Sequence, residues 1–258
     1  MSVFHFQRFD VRNDLSAMKV NTDGVLLGAV TDVFPEDRSV LDIGTGTGTI
    51  ALMLSQRLGD LAGNFLVHAI DIDGPSAAEA SANFEDSPWN SSLRAFRMGL
   101  KEFSMPDSPG EAGYDLIVSN PPYFDSSLKA PSERRNNARH VGDPEDGTGV
   151  EALSYREVLE YSMSHLRPGG RVAVVLPSDQ EKALLRHARM CGFAPWKILR
   201  VKSVPRKAVS RIIVQFRRKG ECPEAVEEEI SIMDEKGRHT LQYISLVKDY
   251  LLSSTFSR

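Results

Sequence analysis

Short apolar runs alternate with longer amphipathic segments along most of this 258-residue chain. Most of the short runs are rich in Val, Ile and Leu and stop at a glycine, an acidic residue or a proline, as buried strands do. The predicted strands cover residues 39–43, 65–70, 93–98, 114–118 and 171–176. Two later runs, residues 194–202 and 209–216, flank a turn at Val204-Pro205 and predict an antiparallel hairpin.

The segments between these runs predict helices. Helical patterns cover residues 49–59, 75–84, 153–166, 179–190 and 241–252. Pro75 suits a first helical position behind Asp73 as a cap, and Thr22 or Asp23 can cap a short helix near the N-terminus. Residues 3–15 fit either an edge strand or a mobile arm. Strands that alternate with helices imply an α/β fold, with a largely parallel sheet covered on both faces.

Composition limits the class of protein. Apolar residues make up 41% of the chain and charged residues 26%, which is ordinary for one globular α/β domain. No apolar run approaches the roughly 18 residues of a membrane-spanning helix, and the first residues lack the apolar stretch of a secretory signal. Only Cys191 and Cys222 occur, so we expect neither a zinc site nor a disulfide framework, and a reducing cytoplasm as the location.

Polar residues and glycines collect where the predicted strands end. They are Asp42, Gly44, Gly46 and Gly48 at the first strand, Asp71 at the second and Asn120 at the fourth. Sheets of this type bind ligands at the carboxyl ends of their strands. One crevice can therefore collect all of these residues.

The glycine spacing discriminates between two nucleotide-like cofactors. A dinucleotide fingerprint, G-x-G-x-x-G, needs a glycine at position 49, where this chain has Thr49. Asp42 would repel a pyrophosphate, but it suits a cofactor with a cationic end, such as the amino group of a methionine moiety. Asp71 can accept hydrogen bonds from two ribose hydroxyls. These features favour S-adenosylmethionine over NAD.

The sequence Asn-Pro-Pro-Tyr at residues 120–123 is the second chemical feature. Consecutive prolines hold an extended turn whose carbonyls point towards a ligand. Asn120 adds an acceptor and Tyr123 adds a flat ring, which together make a receptor for a planar group that carries an NH2. Asn120, Pro121, Pro122 and Tyr123 are therefore the candidate catalytic residues. The alternative is purely structural, a proline turn that ends a strand beside a core tyrosine.

Basic residues concentrate around the predicted hairpin, although the net charge of the chain is −4. Nine lysines and arginines and no acid lie between Lys197 and Lys219, and a block of glutamates follows. Such a stripe can bind a phosphate backbone; the alternative is a solvated hairpin whose charges prevent edge pairing. The candidate RNA contacts are Arg206, Lys207 and Arg211, or Arg134, Arg135 and Arg139 in the polar segment 125–150.

Residues 40–48, Asp71 and the Asn-Pro-Pro-Tyr turn together resemble class I amino-methyltransferases. Residues 19–28 are similar to the N-terminal motif of the bacterial valine-tRNA (adenine-N6)-methyltransferase family, and the resemblance covers about residues 3–252. It implies a Rossmann-like class I methyltransferase fold with a seven-stranded, mostly parallel sheet and a C-terminal antiparallel hairpin. Residues 1–37 would form an arm with a cofactor-lid motif, and residues 38–258 the methyltransferase domain.

The resemblance also implies an activity, the methylation of N6 of the adenosine immediately 3′ of a tRNA anticodon. The chain would act without a metal, and we expect a monomer. The residues that would contact S-adenosylmethionine are Lys19, Thr22, Asp23, Asp42, Gly44, Gly46, Gly48, Asp71, Ile72, Leu100 and Asn120.

One position departs from the family pattern. Gly99 stands where the family usually has an aspartate that binds the amino group of the cofactor's adenine. Either backbone groups near Leu100 suffice, or the cofactor binds more weakly. Loss of one such hydrogen bond typically costs about 0.5–1.5 kcal/mol, which leaves the class assignment intact.

Other substrates fit the same turn. A glutamine side-chain amide of a release factor could enter it, although proteins of that type tend to carry a helical N-terminal domain and here only about 38 residues precede the first strand. Guanine-N2 of ribosomal RNA and adenine in DNA are further alternatives. A non-enzymatic alternative is a cofactor-binding scaffold in an RNA complex.

Overall fold

The computed structural model of the protein describes residues 2–61, 63–104, 113–123, 153–221 and 224–256. The strands are β1 (Val3–His5), β2 (Asp10–Arg12), β3 (Ser39–Ile43), β4 (Leu66–Asp71), β5 (Leu93–Arg97), β6 (Tyr114–Ser119), β7 (Leu166–Pro177), β8 (Phe193–Lys202), β9 (Arg211–Arg218) and β10 (Val226–Ser231). The helices are α1 (Thr22–Val30), α2 (Thr49–Leu61), α3 (Gly74–Glu85), α4 (Tyr155–His165), α5 (Glu181–Met190) and α6 (Leu241–Val247). Short 3-10 turns cover Asn90–Ser92, Ser178–Gln180 and Ser253–Phe256.

The main sheet has the strand order β10-β8-β9-β7-β6-β3-β4-β5. Its strands pair in parallel except β9, which is antiparallel to both β7 and β8. The α/β class, the mostly parallel sheet and the antiparallel hairpin are therefore confirmed. The number of strands is not, because the described residues form eight strands in this sheet rather than seven.

The additional strand, β10, contains part of the glutamate block. It pairs with β8 so that Glu229 lies opposite Arg200. Arg200 bonds Glu227 at 2.8 Å, and Lys202 bonds Glu229 at 2.6 Å. Opposite charges on neighbouring strands favour this pairing, and local hydrophobicity could not reveal it because most of β10 is polar and exposed.

Two apolar layers cover the sheet, as the helix–strand alternation predicted. Val40 of β3 packs in a core cluster with residues of α1 and α2, whereas Leu41 packs in a second cluster with residues of α4 and α5. Successive side chains of a strand point to opposite faces. Asp42 therefore points to the same face as Val40, and it is fully buried there.

The N-terminal segment is a packed hairpin rather than a free arm. β1 and β2 pair antiparallel, and Phe6, Phe9 and Val11 are buried. The ring of Phe9 stacks on Phe6 and meets the edge of Trp89, with centroids 4.5 and 5.9 Å apart. The hairpin is thereby fixed against the part of the chain that contains the main sheet.

Some helix ends differ from those predicted. The cap of α1 is Asn21, whose side chain accepts the Gly24 N–H, and not Thr22 or Asp23. Helix α2 continues past Gly59 to Leu61, because Gly59 makes room for the Trp89 ring, which would lie 2.7 Å from a Cβ there. Helix α6 ends at Val247 rather than at residue 252. The Asp73 cap and Pro75 in the first turn of α3 are confirmed.

Some predicted features lie outside the described residues. They are the polar segment 125–150 with Arg134, Arg135 and Arg139, and Cys222. Within the described ranges, none of the helices combines the length and the apolarity needed to span a bilayer.

Candidate active site

Three neighbouring parallel strands end at one edge of the sheet. β3 pairs with β4 on one side and with β6 on the other, so the chain changes direction across the sheet at this point. Such switch points are where α/β sheets bind ligands. The predicted residues at the ends of these strands are brought together here, as the sequence indicated.

The glycine loop after β3 requires left-handed backbone conformations. Gly44, Gly46 and Gly48 have φ values of 71°, 56° and 81°. A Cβ on Gly48 would lie 2.5 Å from the Phe84 ring, and one on Gly46 would lie 3.2 Å from Ser16 Oγ. The loop is therefore tightly enclosed as well as strained for any other residue.

Asp71 joins the glycine loop to β4. Its Oδ2 accepts the Gly46 N–H at 2.9 Å, and its Oδ1 accepts the Asp73 N–H at 2.9 Å. Burial raises the pKa of Asp71, and the nearby charge of Asp73 adds to the increase. Each carboxylate oxygen keeps a second lone pair, so Asp71 can still accept from ribose hydroxyls as predicted.

Asp42 lies beneath the glycine loop. Its Oδ2 accepts the Thr45 hydroxyl at 2.7 Å, whereas no described residue makes a well-aligned hydrogen bond to its buried Oδ1. The backbone N–H of Ala51 approaches the carboxylate less favourably. Burial raises the pKa of Asp42 from 3.8 to about 7, although the Thr45 hydrogen bond partly opposes the shift. A buried acceptor without a well-placed partner is costly. Asp42 Oδ1 therefore suits a cofactor that brings a cationic amino group.

We expect Asp42 to make stability depend on pH. Because the folded-state pKa of Asp42 is raised, the contribution of its neutral form to stability is fully present below about pH 3.8 and declines as pH rises towards about 7. Denaturation of the cofactor-free protein should show falling stability over this range, relative to Asp42→Asn. Parallel curves for the two proteins would show that Asp42 titrates normally.

Residues 13–21, the arm between β2 and α1, lie over the glycine loop. Ser16 Oγ donates to the Met18 carbonyl, and Val20 N–H donates to Asn13 Oδ1. The cavity between arm and loop is lined by Met18, Lys19, Val20, Asn21, Gly24, Gly44, Thr45, Gly46, Thr47, Thr49, Ile50 and Asn120. Of the predicted cofactor contacts, Lys19, Gly44, Gly46 and Asn120 line this cavity. The others are not among its lining residues: Thr22, Asp23, Asp42, Gly48, Asp71, Ile72 and Leu100.

Sequence reasoning did not single out the threonines of this cavity. Thr47 and Thr49 share a hydrogen bond of 2.8 Å, and both are buried. Their alternation with the glycines was the available signal, since small hydroxyl residues in such a loop can bind polar ligand groups.

The Asn-Pro-Pro-Tyr turn follows β6 directly and is part of neither a helix nor a strand. The Tyr123 hydroxyl lies 2.7 Å from Asn120 Oδ1 and 3.2 Å from Asp23 Oδ2. Asp23 in turn bonds Arg211 Nε at 2.8 Å, and the Arg211 guanidinium lies 5.2 Å from the centre of the Tyr123 ring. Within the turn, Pro121 is buried and Pro122 is half-buried.

The electrostatics of this group keep Tyr123 protonated. Burial raises the pKa of Tyr123, and the neighbouring Asp23 carboxylate raises it further. Tyr123 is therefore a neutral hydrogen-bond donor. Asp23, predicted as a cofactor contact, and Arg211, predicted as an RNA contact, both meet at this tyrosine.

An apolar ledge lies beyond Asp71, at the ends of β4 and β5. Ile72 and Met98 are exposed by 41% and 36%, and Leu100 is half-buried. Glu102 Oε2 lies 3.8 Å from the position of a Cβ on Gly99. A carboxylate is thus present close to the place where the expected aspartate is missing, and it could accept from an adenine amino group.

We predict that Glu102→Ala weakens S-adenosylmethionine binding about 3- to 10-fold, as expected for one lost hydrogen bond to a neutral amine. Calorimetric titration measures the effect. Glu85→Ala is the matched control, because Glu85 is an exposed glutamate at the end of α3. Equal affinities for Glu102→Ala and the control would indicate that backbone groups near Leu100, and not Glu102, bind the adenine amino group.

Most of the basic stripe is neutralised by carboxylates. Ion pairs join Lys197 to Asp32, Arg200 to Glu181 and Glu227, Lys202 to Glu229, Arg206 to Glu235, and Arg211 to Asp23. Lys207 is exposed and makes no ion pair with another described residue. Arg217, Arg218 and Lys219, at and just after the end of β9, likewise make no ion pair with another described residue. The charge without an ion pair therefore lies at Lys207 in the turn between β8 and β9 and at the far end of β9.

Comparisons with known proteins agree with this geometry. The model of the methyltransferase small domain matches residues 16–133. The solved structure of a predicted O-methyltransferase from Agrobacterium tumefaciens superposes with a TM-score of 0.60 at 14% identity, over 88% of this chain and 96% of that one. The Rossmann-like class I methyltransferase fold is thereby confirmed.

Two curated relatives are similar over nearly their whole length. The tRNA1(Val) (adenine(37)-N6)-methyltransferase of Flavobacterium johnsoniae is 38% identical, with 97% of this chain and 99% of the relative covered. The protein of the same name from Bacteroides fragilis is 38% identical, with 96% and 97% covered. The chain therefore belongs to the family of tRNA1(Val) (adenine(37)-N6)-methyltransferases.

Proposed function

We propose that this enzyme transfers a methyl group to N6 of the adenosine immediately 3′ of the anticodon of a valine tRNA. The observation that carries the proposal is the position of Asn120, which lines the cofactor cavity and also begins the Asn-Pro-Pro-Tyr turn. An acceptor for an amine would therefore stand beside the methyl donor when it is bound in this cavity. The relatives' names, which specify tRNA1(Val) and adenine 37, support the choice of substrate.

Positioning is the main task of the turn. The lone pair of an aromatic exocyclic amine is delocalised into the ring, so the amine is a poor nucleophile. In the proposed mechanism Asn120 Oδ1 and the Pro121 carbonyl accept hydrogen bonds from the two N–H groups of the amine. These bonds turn the nitrogen lone pair out of the ring plane, towards the methyl group. When bound, S-adenosylmethionine would supply the methyl group from its sulfonium and leave as S-adenosylhomocysteine, and one proton of the amine would be released to water. Alignment of this kind can contribute several kcal/mol, and no strong base is needed because the nitrogen becomes more acidic as it is methylated.

The aromatic ring of Tyr123 would stack on the extruded adenine. Stacking of a base on an aromatic side chain is worth about 1–3 kcal/mol. An anticodon-loop base is already unpaired, so its extrusion costs less than that of a duplex base. The half-buried position of Tyr123 at the mouth of the site is compatible with this role.

RNA would bind next to Tyr123. Arg211 of β9 already reaches the Tyr123 ring. Arg206 and Lys207 extend from the preceding turn, and the Arg206–Glu235 pair is largely exposed and therefore weak. These residues are our proposed phosphate contacts, with Arg134, Arg135 and Arg139 as further candidates. We also propose a cytoplasmic location, which a tRNA substrate supports, and a monomer as the expected state.

Methyl transfer from labelled S-adenosylmethionine tests the proposal. The purified enzyme is incubated separately with tRNA, ribosomal RNA, DNA and a release factor. We expect label in tRNA alone. Label in the release factor would support the glutamine-amide alternative, and label in ribosomal RNA or DNA the other nucleic acids. Cofactor binding without transfer to any of the four would support the scaffold alternative.

A further inference from the structure

The amine receptor of this site is occupied by one of its own side chains. The Tyr123 hydroxyl lies 2.7 Å from Asn120 Oδ1, the oxygen that a substrate amine would need. On its other side, Asn120 Nδ2 lies 3.5 Å from Met18 Sδ. The amide oxygen therefore faces the tyrosine, and a substrate amine must compete with the phenol for it.

A second acceptor lies within reach of the same hydroxyl. Asp23 Oδ2 is 3.2 Å from the Tyr123 oxygen. A phenol has a single proton, so it can donate to Asn120 or to Asp23 but not fully to both. A rotation about the C–O bond would exchange the two acceptors without a displacement of the ring.

Neighbouring elements hold Asp23 in this position. Asp23 lies in the first turn of α1, behind the Asn21 cap. Its Oδ2 also accepts from Arg211 Nε at 2.8 Å, and its side chain is 21% exposed. Because Asn21 caps the helix, the Asp23 carboxylate is available for contacts outside the helix.

We propose that Asp23 is a positioning residue for methyl transfer. When a substrate amine takes Asn120 Oδ1, the Tyr123 hydroxyl turns to the Asp23 carboxylate. Asp23 thereby keeps the phenol satisfied and Asn120 free, while Arg211 keeps Asp23 in place. The inference rests on the proposed function, in which Asn120 accepts from the substrate amine.

A double-mutant cycle tests this role. The four proteins are wild type, Asp23→Ala, Tyr123→Phe and the double variant, each assayed with tRNA and S-adenosylmethionine. In the tyrosine background we expect Asp23→Ala to lower kcat about tenfold, as for the loss of one charge-assisted hydrogen bond. In the phenylalanine background the same change should have almost no effect, because the hydroxyl is already absent.

Several measurements separate this role from a structural one. The cofactor Kd of Asp23→Ala should stay within about twofold of wild type, because Asp23, although predicted as a cofactor contact, is not among the residues that line the cofactor cavity. Asp23→Asn, which retains an acceptor oxygen, should recover part of the lost kcat. Equal losses in both backgrounds, or no loss in either, would overturn the proposal. Should Asp23→Ala fail to fold, the cycle is run with Asp23→Leu, which has a similar size and no acceptor oxygen. If wild-type enzyme does not methylate tRNA, the proposed function itself is wrong, and the cycle is run with whichever amine substrate the enzyme accepts.

Discussion

Replacement of Asn120 by alanine is expected to lower kcat about 100- to 1,000-fold. The change removes an acceptor that orients the amine, and positioned hydrogen-bonding groups contribute effects of this size in other enzymes. The side chain is buried beside the cofactor cavity, so water would replace it poorly. Single-turnover transfer of labelled methyl to tRNA measures the loss.

The control for this substitution is Asn64→Ala, because Asn64 is exposed and lies far along the chain from the turn. Cofactor affinity should change by less than about fivefold, since Asn120 is one of many residues that line the cavity. Near-normal transfer by Asn120→Ala, with the cofactor bound, would remove Asn120 from the mechanism and return the turn to a structural role.

A second large effect is expected at Glu79, whose side chain is only 3% exposed. Its Oε1 accepts the N–H groups of Asp14 and Leu15 at 2.7 and 2.8 Å, and its Oε2 accepts that of Ser16 at 2.8 Å. One turn later on α3, Asn83 donates to the carbonyls of both Arg12 and Thr47. Helix α3 therefore holds the arm against the glycine loop.

Glu79→Ala would leave these three backbone donors without an acceptor. Each buried, unsatisfied group costs about 1–3 kcal/mol, and partial exposure of the arm to water would reduce the total. We expect the free energy of unfolding to fall by about 2–4 kcal/mol, and S-adenosylmethionine to bind at least tenfold more weakly because the arm forms one wall of its cavity. Denaturant titration and calorimetry measure the two effects.

Glu85→Ala is again the matched control, since Glu85 is an exposed glutamate on the same helix. Loss of stability without loss of cofactor affinity would mean that the arm anchors the fold but does not shape the cavity. Unchanged values for both would contradict the role of Glu79 altogether.

The fold could be predicted from the sequence because its signals are local. Buried strands are visible in the sequence as apolar runs. Gly44, Gly46 and Gly48 indicate a loop that only glycine can form without strain. Asp42, Asp71 and Asn120 could be placed at one edge because parallel strands bring their carboxyl ends together. Each of these inferences needs only a few neighbouring residues.

The remaining contacts depend on distant parts of the chain. Asp23 meets Tyr123 across 100 positions and Arg211 across 188, and Glu79 captures an arm more than 60 positions earlier. None of these pairs has a periodic signature, so the roles of Asp23 and Glu79 emerge only from the structure. The eighth strand was missed for the same reason, since it is held to β8 by charge pairs.

The identity of the methylated nucleoside tests the central claim most directly. Valine tRNA is incubated with S-adenosylmethionine and enzyme, digested to nucleosides and to an anticodon-loop fragment, and examined by mass spectrometry. We predict N6-methyladenosine in the fragment that contains the adenosine 3′ of the anticodon, and its near absence with Asn120→Ala. A different methylated nucleoside, methylation elsewhere in the tRNA, or no methylated tRNA at all would contradict the proposed function.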